Sequence, residues 1–319
     1  MRPISALFFL VSALFALSLL AGKVWISPAL WFTDTPAAWI MSELRLPRAV
    51  LGLVIGATLG LSGAVLQGYL RNPLADPSLV GISSSGALGA VIAISFGIAA
   101  APFVLFACAL AGAMAATLVL LALSRIDARP ISFILGGMVL SSLAGALVAL
   151  IISLAPNPFA VAEIMSWLMG ALTDRGWSDV AFAMPLMVVG CGLLALTGRS
   201  LDGLSLGQET AQTLGINLQR LQWLIILGLG FGVGASVAVT GVVGFVGLIV
   251  PHVMRRWVGE RPSALLLPSA LGGAALVLGA DTLVRLSPGA GEVRLGVAMA
   301  LIGAPFFLLL LLRNKGRLI

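Results

Sequence analysis

The sequence predicts an all-α, polytopic membrane protein with ten transmembrane helices. Of its 319 residues, 60% are hydrophobic and only 9% charged, whereas soluble domains carry about 25% charged residues. The apolar runs reach the roughly 20 residues that a helix needs to cross a bilayer. Only one long polar stretch, 198–222, interrupts them. An open sheet or irregular chain leaves backbone groups unpaired in lipid, so the runs are read as helices. The whole of 1–319 is expected to form a single transmembrane domain.

The first span, 4–22, follows Arg2. Its apolar core of 19 residues ends in Ala21-Gly22-Lys23. A cleaved leader has a shorter core, about 7–15 residues, and a small-x-small site, so this run is expected to stay as a helix. The second span, 48–69, repeats Gly52, Gly56 and Gly60 at every fourth position, a smooth face suited to close helix contact in lipid. Arg71-Asn72-Pro73-Leu74-Ala75-Asp76-Pro77 closes it. Both prolines push the preceding residue out of helix, and Asn72 and Asp76 suit capping positions. Ser83, Ser84, Ser85 and Gly86 then open the third span, 79–100.

A very tight turn leads to the fourth span, 102–123, and the fifth and sixth follow at 131–152 and 181–197. The seventh, 223–240, carries Gly228 and Gly232 with Gly230 and Gly234. After another tight turn, the eighth, 242–258, holds Pro251 and His252, the only histidine; the proline predicts a kink near its inner end. In the ninth, 264–285, Asp281 precedes Arg285 by four residues, the spacing of an intrahelical ion pair. The tenth is 295–312. Cys108 and Cys191 fall inside spans and are read as packing thiols, without disulfide or metal-ligand spacing.

The formal charge is +6 and the sequence pI about 10.6, but the basic residues form no single patch for nucleic acid. They sort by side. With the N-terminus inside, Arg2, Arg71, Arg125, Arg129, Arg199, Arg220, Arg255, Arg256, Arg261, Arg313, Lys315 and Arg317 face the cytoplasm. Lys23, Arg45, Arg48, Arg175, Arg285 and Arg294 face out. This two-to-one bias is the positive-inside pattern, and it puts 198–222 in the cytoplasm. Ion-coupled carriers bury ionisable residues at mid-bilayer with partners. Here the acids sit at loops and span ends, so energy is expected to enter from outside the chain. A membrane-embedded enzyme would need clustered His, Cys or acidic groups, which one histidine does not supply. The residues alone leave an ion-coupled secondary transporter without an ATPase partner as the alternative.

Several segments together make the chain resemble the FecCD-type permeases of binding-protein-dependent ABC importers, the type II fold of cobalamin, haem and ferric-siderophore uptake. They are Arg45-Leu46-Pro47-Arg48, Gly60 to Gln67, Arg71 to Pro77, Gly81 to Ala87, Trp167-Leu168-Met169-Gly170 and Leu204 to Gly215. Further on come Gly241 to Arg255, Leu267 to Ala270, Ala280 to Arg285 and Gly303 to Phe307. They span nearly the whole chain in order. One departure is Val293-Arg294, where the family has Leu-Pro after Glu292.

The resemblance implies a homodimer in the bacterial inner membrane, embedded in lipid, with two separate ATPase subunits and a periplasmic substrate-binding protein. ATP and Mg would bind in the ATPase subunits, and this chain would bind no cofactor or metal. The loop between spans six and seven would form two short helices seated in the ATPase, with Gln208, Glu209, Leu214 and Gly215 at its centre. Arg45, Arg48 and Arg285 would receive acidic residues of the binding protein, a role suited to arginine's bidentate fork. Asn72, Leu74, Pro130 and Ile131 would build the cytoplasmic gate. His252 lies in a segment shared with non-haem relatives and is read as structural. Haem or a ferric siderophore is favoured as cargo over cobalamin.

Overall fold

The computed structural model describes residues 2–31, 35–99, 101–127, 129–287 and 291–313. Lys315 and Arg317, both expected inside, lie beyond them. The described residues are helical with no strand. Helix α1 spans Arg2–Leu20, α2 Pro36–Leu70, α3 Ile82–Ser95, α4 Pro102–Ile126, α5 Pro130–Ser153, α6 Pro158–Leu168 and α7 Trp177–Ala195. Two short helices follow, α8 (Gly198–Leu204) and α9 (Gln208–Thr213). Then come α10 (Leu218–Thr240), α11 (Val246–Val258), α12 (Pro262–Arg285) and α13 (Leu295–Arg313).

Seven of these elements are long and apolar enough to cross a membrane, and three shorter apolar helices lie at Ile82–Ser95, Pro158–Leu168 and Leu295–Leu310. The ten expected passes are therefore not ten full-length helices. The clearest correction is the eighth span. Gly241 to Gly244 are non-helical, Phe245 takes a left-handed φ of 68°, and only Val246–Val258, 13 residues, is helix. At 1.5 Å per residue that is about 20 Å, short of a roughly 30 Å core. The third span is likewise a 14-residue helix preceded by a 3₁₀ turn at Pro77–Val80. The second begins at Pro36, well before 48. A wide π turn, Ile40–Arg45, precedes Pro47; proline's ring would clash with the carbonyl four residues back, and the wider turn accommodates it. Helix α6 had no counterpart among the expected spans.

α2 and α10 are largely buried, while little of α5 is. Glycine lets α2 sit at the centre. A Cβ added at Gly56 would overlap the Gly273 carbonyl of α12, and one at Gly60 would overlap that of Ser269. Gly52, on the same repeat, meets nothing nearer than Leu278 Cδ2 at 3.4 Å. Gly63 crosses α11 backbone to backbone at Gly247. The α10 glycines divide their work: Gly228 and Gly232 face Gly190 of α7, while Gly230 and Gly234 face Thr117 and Ala113 of α4.

The helix ends gather into two faces that match the charge sorting. At one, Trp223 Nε1 donates to Ser124 Oγ at 3.0 Å, Arg125 stacks over Trp223, and Arg261 meets Asp202. At the other, Arg45, Arg48, Arg285 and Arg294 join the ends of α1, α2, α6, α12 and α13. The free thiols Cys108 and Cys191 pack as expected, Cys191 against Thr58.

Candidate functional site

The inner polar loop is folded, not slack. α8 and α9 are separated by Gly207 (φ 112°), and Gly215 (φ 81°) ends the second. Both angles suit glycine, which has no Cβ to clash. Asp202 anchors α8 to the start of α12: it accepts from Ser263 N–H at 2.8 Å, Ser263 Oγ at 2.6 Å and Arg261 Nε at 2.8 Å. Burial works against the charged carboxyl, but these donors outweigh it and hold Asp202 below the usual carboxylate range. Ala211 is fully buried, Ile216 packs on Gly203, and Asn217 caps α10 through Arg220 N–H. On this frame Leu206 is 66% and Leu214 62% exposed, with Glu209 exposed beside them and Gln208 half-buried. Ala211 thus faces the frame, whereas Leu214 points out. Beside the loop lies a cavity of about 420 Å³, lined by Gln208, Gln212, Asn217 and, from the segment before α5, Arg129.

The four residues expected to build the gate lie at this same end. Asn72 is exposed and its Oδ1 accepts from Leu74 N–H at 2.9 Å, an Asx turn that lets the chain double back after α2. Leu74 and Pro130 are half-buried and Ile131 is exposed. The last turn of α2 meets α5 through Tyr69 and Phe133, edge to face at 5.9 Å, and the loop meets it through Val80 against Gly137. Asp127 holds the entry to α5, accepting from Arg129 Nη2 and Ser132 Oγ at 2.6 Å each.

The three outer arginines do not project outward as docking residues would. Arg45 donates to the carbonyls of Leu19 (2.9 Å), Leu20 (2.8 Å) and Val24 (2.5 Å), closing the C-terminus of α1. Arg48 grips Asp281 and Glu292; Arg285 bonds Asp281 at 2.6 Å, Ser18 O at 2.9 Å and Ser18 Oγ at 2.5 Å. All three are buried. A guanidinium at a membrane edge is too costly to bury unpaired, so each is paired within the chain. The expected Asp281–Arg285 pair is present, but as part of a four-residue network.

Sequence reasoning passed over Glu292, which accepts from Arg48 Nη2 at 2.8 Å and Thr173 Oγ1 at 3.0 Å. Burial opposes its charge, but Arg48 and Thr173 hold the carboxyl below its ordinary range. Its signal was available: it is the one acid next to the Val293-Arg294 departure. Arg294 itself donates to Ser166 Oγ of α6 at 2.6 Å.

A model of the FecCD transport family matches residues 10–313. The chain belongs to the FecCD transport family. This FecCD chain is therefore a transport permease subunit rather than an enzyme. It is 36% identical over 303 residues to the vitamin B12 import system permease protein BtuC of Klebsiella pneumoniae, covering 94% of this chain and 90% of that one. It is 38% identical over 293 residues to the hemin transport system permease protein HmuU of Yersinia pestis, covering 90% and 87%. An inward-facing metal-chelate type ABC transporter superposes with a TM-score of 0.89 at 32% identity, covering 98% of this chain and 99% of that one.

Proposed function

We propose that this FecCD chain is the permease of a binding-protein-dependent importer that carries a metal chelate from periplasm to cytoplasm across the bacterial inner membrane. Two copies would enclose the path. Two ATPase subunits, holding ATP and Mg, would drive alternating access. The relatives named for vitamin B12 and hemin support the cargo class. One observation carries the reading: two protruding leucines, Leu206 and Leu214, stand on a loop anchored by Asp202 and Asn217 at the basic inner face. Exposed apolar knobs on such a frame suit a protein partner.

Gating is assigned to Asn72, Leu74, Pro130 and Ile131, where an apolar side chain meeting its own copy excludes water. The binding protein would dock at the outer face above Arg45, Arg48 and Arg285. Because those side chains are buried and paired, direct capture requires a partner carboxylate to displace a backbone carbonyl at Arg45 or an internal carboxylate at Arg48 and Arg285, and Glu292 is the most accessible of these acids, with 23% of its side chain exposed.

Proteoliposomes test the whole reading. Those with this chain alone are expected to accumulate no chelate under a proton or sodium gradient, while those with ATPase, binding protein and ATP do. Concentrative uptake by this chain alone would establish the ion-coupled alternative.

A further inference from the structure

The break before α11 leaves a chemical demand unmet. The first amides of a helix have no partner within it. In α11 the N–H groups of Leu248 and Ile249 reach Phe245 O at 3.2 and 2.9 Å, while those of Val246 and Gly247 precede any intrahelical acceptor. Directly across lies Asp76, only 8% exposed. Its Oδ1 accepts from Ser78 N–H at 2.9 Å, while Oδ2 is buried with no hydrogen-bond partner. Oδ2 is 3.2 Å from where a Gly247 Cβ would stand, so it faces the first turn of α11. The Leu248 amide also turns toward this carboxylate, though its bond goes to Phe245. Between them is a cavity of about 10 Å³ lined by Leu59, Asp76, Ser83, Val243, Val246 and Gly247 among others.

We infer that Asp76, Ser83 and the open start of α11 form a binding site for one water molecule that bridges the Arg71–Gly81 loop to α11. The size fits, since a single water needs roughly 10–15 Å³ of such space and two to four polar partners. The chemistry fits as well. Water donates to Asp76 Oδ2 and to Ser83 Oγ, and accepts from an α11 amide. A cation suits the place poorly, because the N-terminal end of a helix carries partial positive charge.

The bridge has a mechanical consequence. Gln67 Nε2 fixes the other side of the same turn, donating to Gly247 O at 3.0 Å, and Gln67 Oε1 accepts from Arg255 Nη2 at 2.6 Å. The turn is thus held directly by α2 and through water by the loop. A water bridge holds nearly as well as a direct bond and exchanges partners readily, so the loop can shift against α11 without stranding a buried carboxylate. The site stands on geometry alone and does not depend on the loop acting as a gate.

The test is hydroxyl-radical footprinting of the full chain in nanodiscs, in which X-ray radiolysis activates bound water and mass spectrometry reads local oxidation. Pro77 and Val246, both buried, are expected to oxidise several-fold faster than buried Leu51 and Ile55 in the bundle. Ser83→Val, which fills the space with methyl groups, should reduce that excess to background. Should Ser83→Val fail to fold, a density map of the unaltered protein decides. A peak within hydrogen-bond distance of Asp76 Oδ2 supports the site, and its absence where other buried waters are seen overturns it. Equal oxidation of Pro77, Val246, Leu51 and Ile55 also overturns it.

Discussion

Arg48 and Asp281 stand 233 positions apart and meet as a fork: Nε lies 3.1 Å from both carboxylate oxygens and Nη2 2.8 Å from Oδ1. The Asp281 side chain is 1% exposed. Removing one partner of a buried pair leaves an uncompensated charge and costs about 3–5 kcal/mol, far more than the pair itself contributes. Arg48→Met is therefore expected to destabilise the folded chain by about that amount, read by chemical unfolding in nanodiscs. Adding Glu292→Gln should recover part of the loss, because Asp281 keeps Arg285 and Glu292 is the acid left without a cation. An Arg48→Met protein as stable as the parent would show that the network is solvated.

The α2 glycines supply a graded test. A methyl at Gly56 or Gly60 meets carbonyl oxygens of α12 that belong to packed backbone, whereas one at Gly52 meets the flexible end of Leu278 at 3.4 Å. Overpacking typically costs about 1–3 kcal/mol. Gly56→Ala and Gly60→Ala should fall in or above that range, and Gly52→Ala should be neutral or stabilising by up to about 1 kcal/mol, since alanine suits a helix interior better than glycine. Equal effects at the three positions would mean that α2 does not pack on α12 as described.

Much of this was legible in the sequence because the hydrocarbon pattern is a local property. The long spans, the sided charges, the Asp281–Arg285 spacing and the polar inner loop are all written in runs of neighbours. Three features were not. The segment 241–245 is as apolar as a span, and hydropathy does not separate helix from a stretch whose bonds go elsewhere; Phe245 at φ 68° is held by tertiary packing, including Gly303 beneath its ring. α6 is apolar but, at 11 residues, too short to read as a span. The fate of the arginines expected outside depended on which carbonyls and acids come within reach, Leu19 for Arg45 at 26 positions and Glu292 for Arg48 at 244, and no spacing rule reports contacts between separate elements.

Asp202 makes the inner loop acid-sensitive. Its carboxyl is depressed in the folded loop by Ser263 and Arg261. A depressed acid contributes stability that is fully present above its unfolded value, about pH 4, and that is lost as pH falls through the lower folded value. Limited proteolysis at 198–222, by proteases active at each pH tested, should therefore rise as pH falls through and below that region. Asp202→Asn should show the raised cleavage already at neutral pH, with little further change on acidification. A cleavage profile shared by both proteins would assign the acid response to another group.

The exposed leucines separate a docking surface from a structural loop. Leu206 and Leu214 contribute little to packing, so Leu206→Ser and Leu214→Ser should each change stability by less than about 0.5 kcal/mol. Both, with Glu209→Ala, should reduce co-purification with the ATPase subunits and lower ATP-driven uptake in proteoliposomes. Gly215→Ala differs in kind: at φ 81° a left-handed non-glycine residue costs about 1–2 kcal/mol, so it should loosen the loop and weaken assembly together. Ala211→Glu, at a fully buried position, should do so more severely. The discriminating result is the pairing of unchanged stability with lost assembly at Leu206 and Leu214. If those two variants assemble and transport as the parent does, the leucines are surface ornaments and the energy enters elsewhere on the inner face.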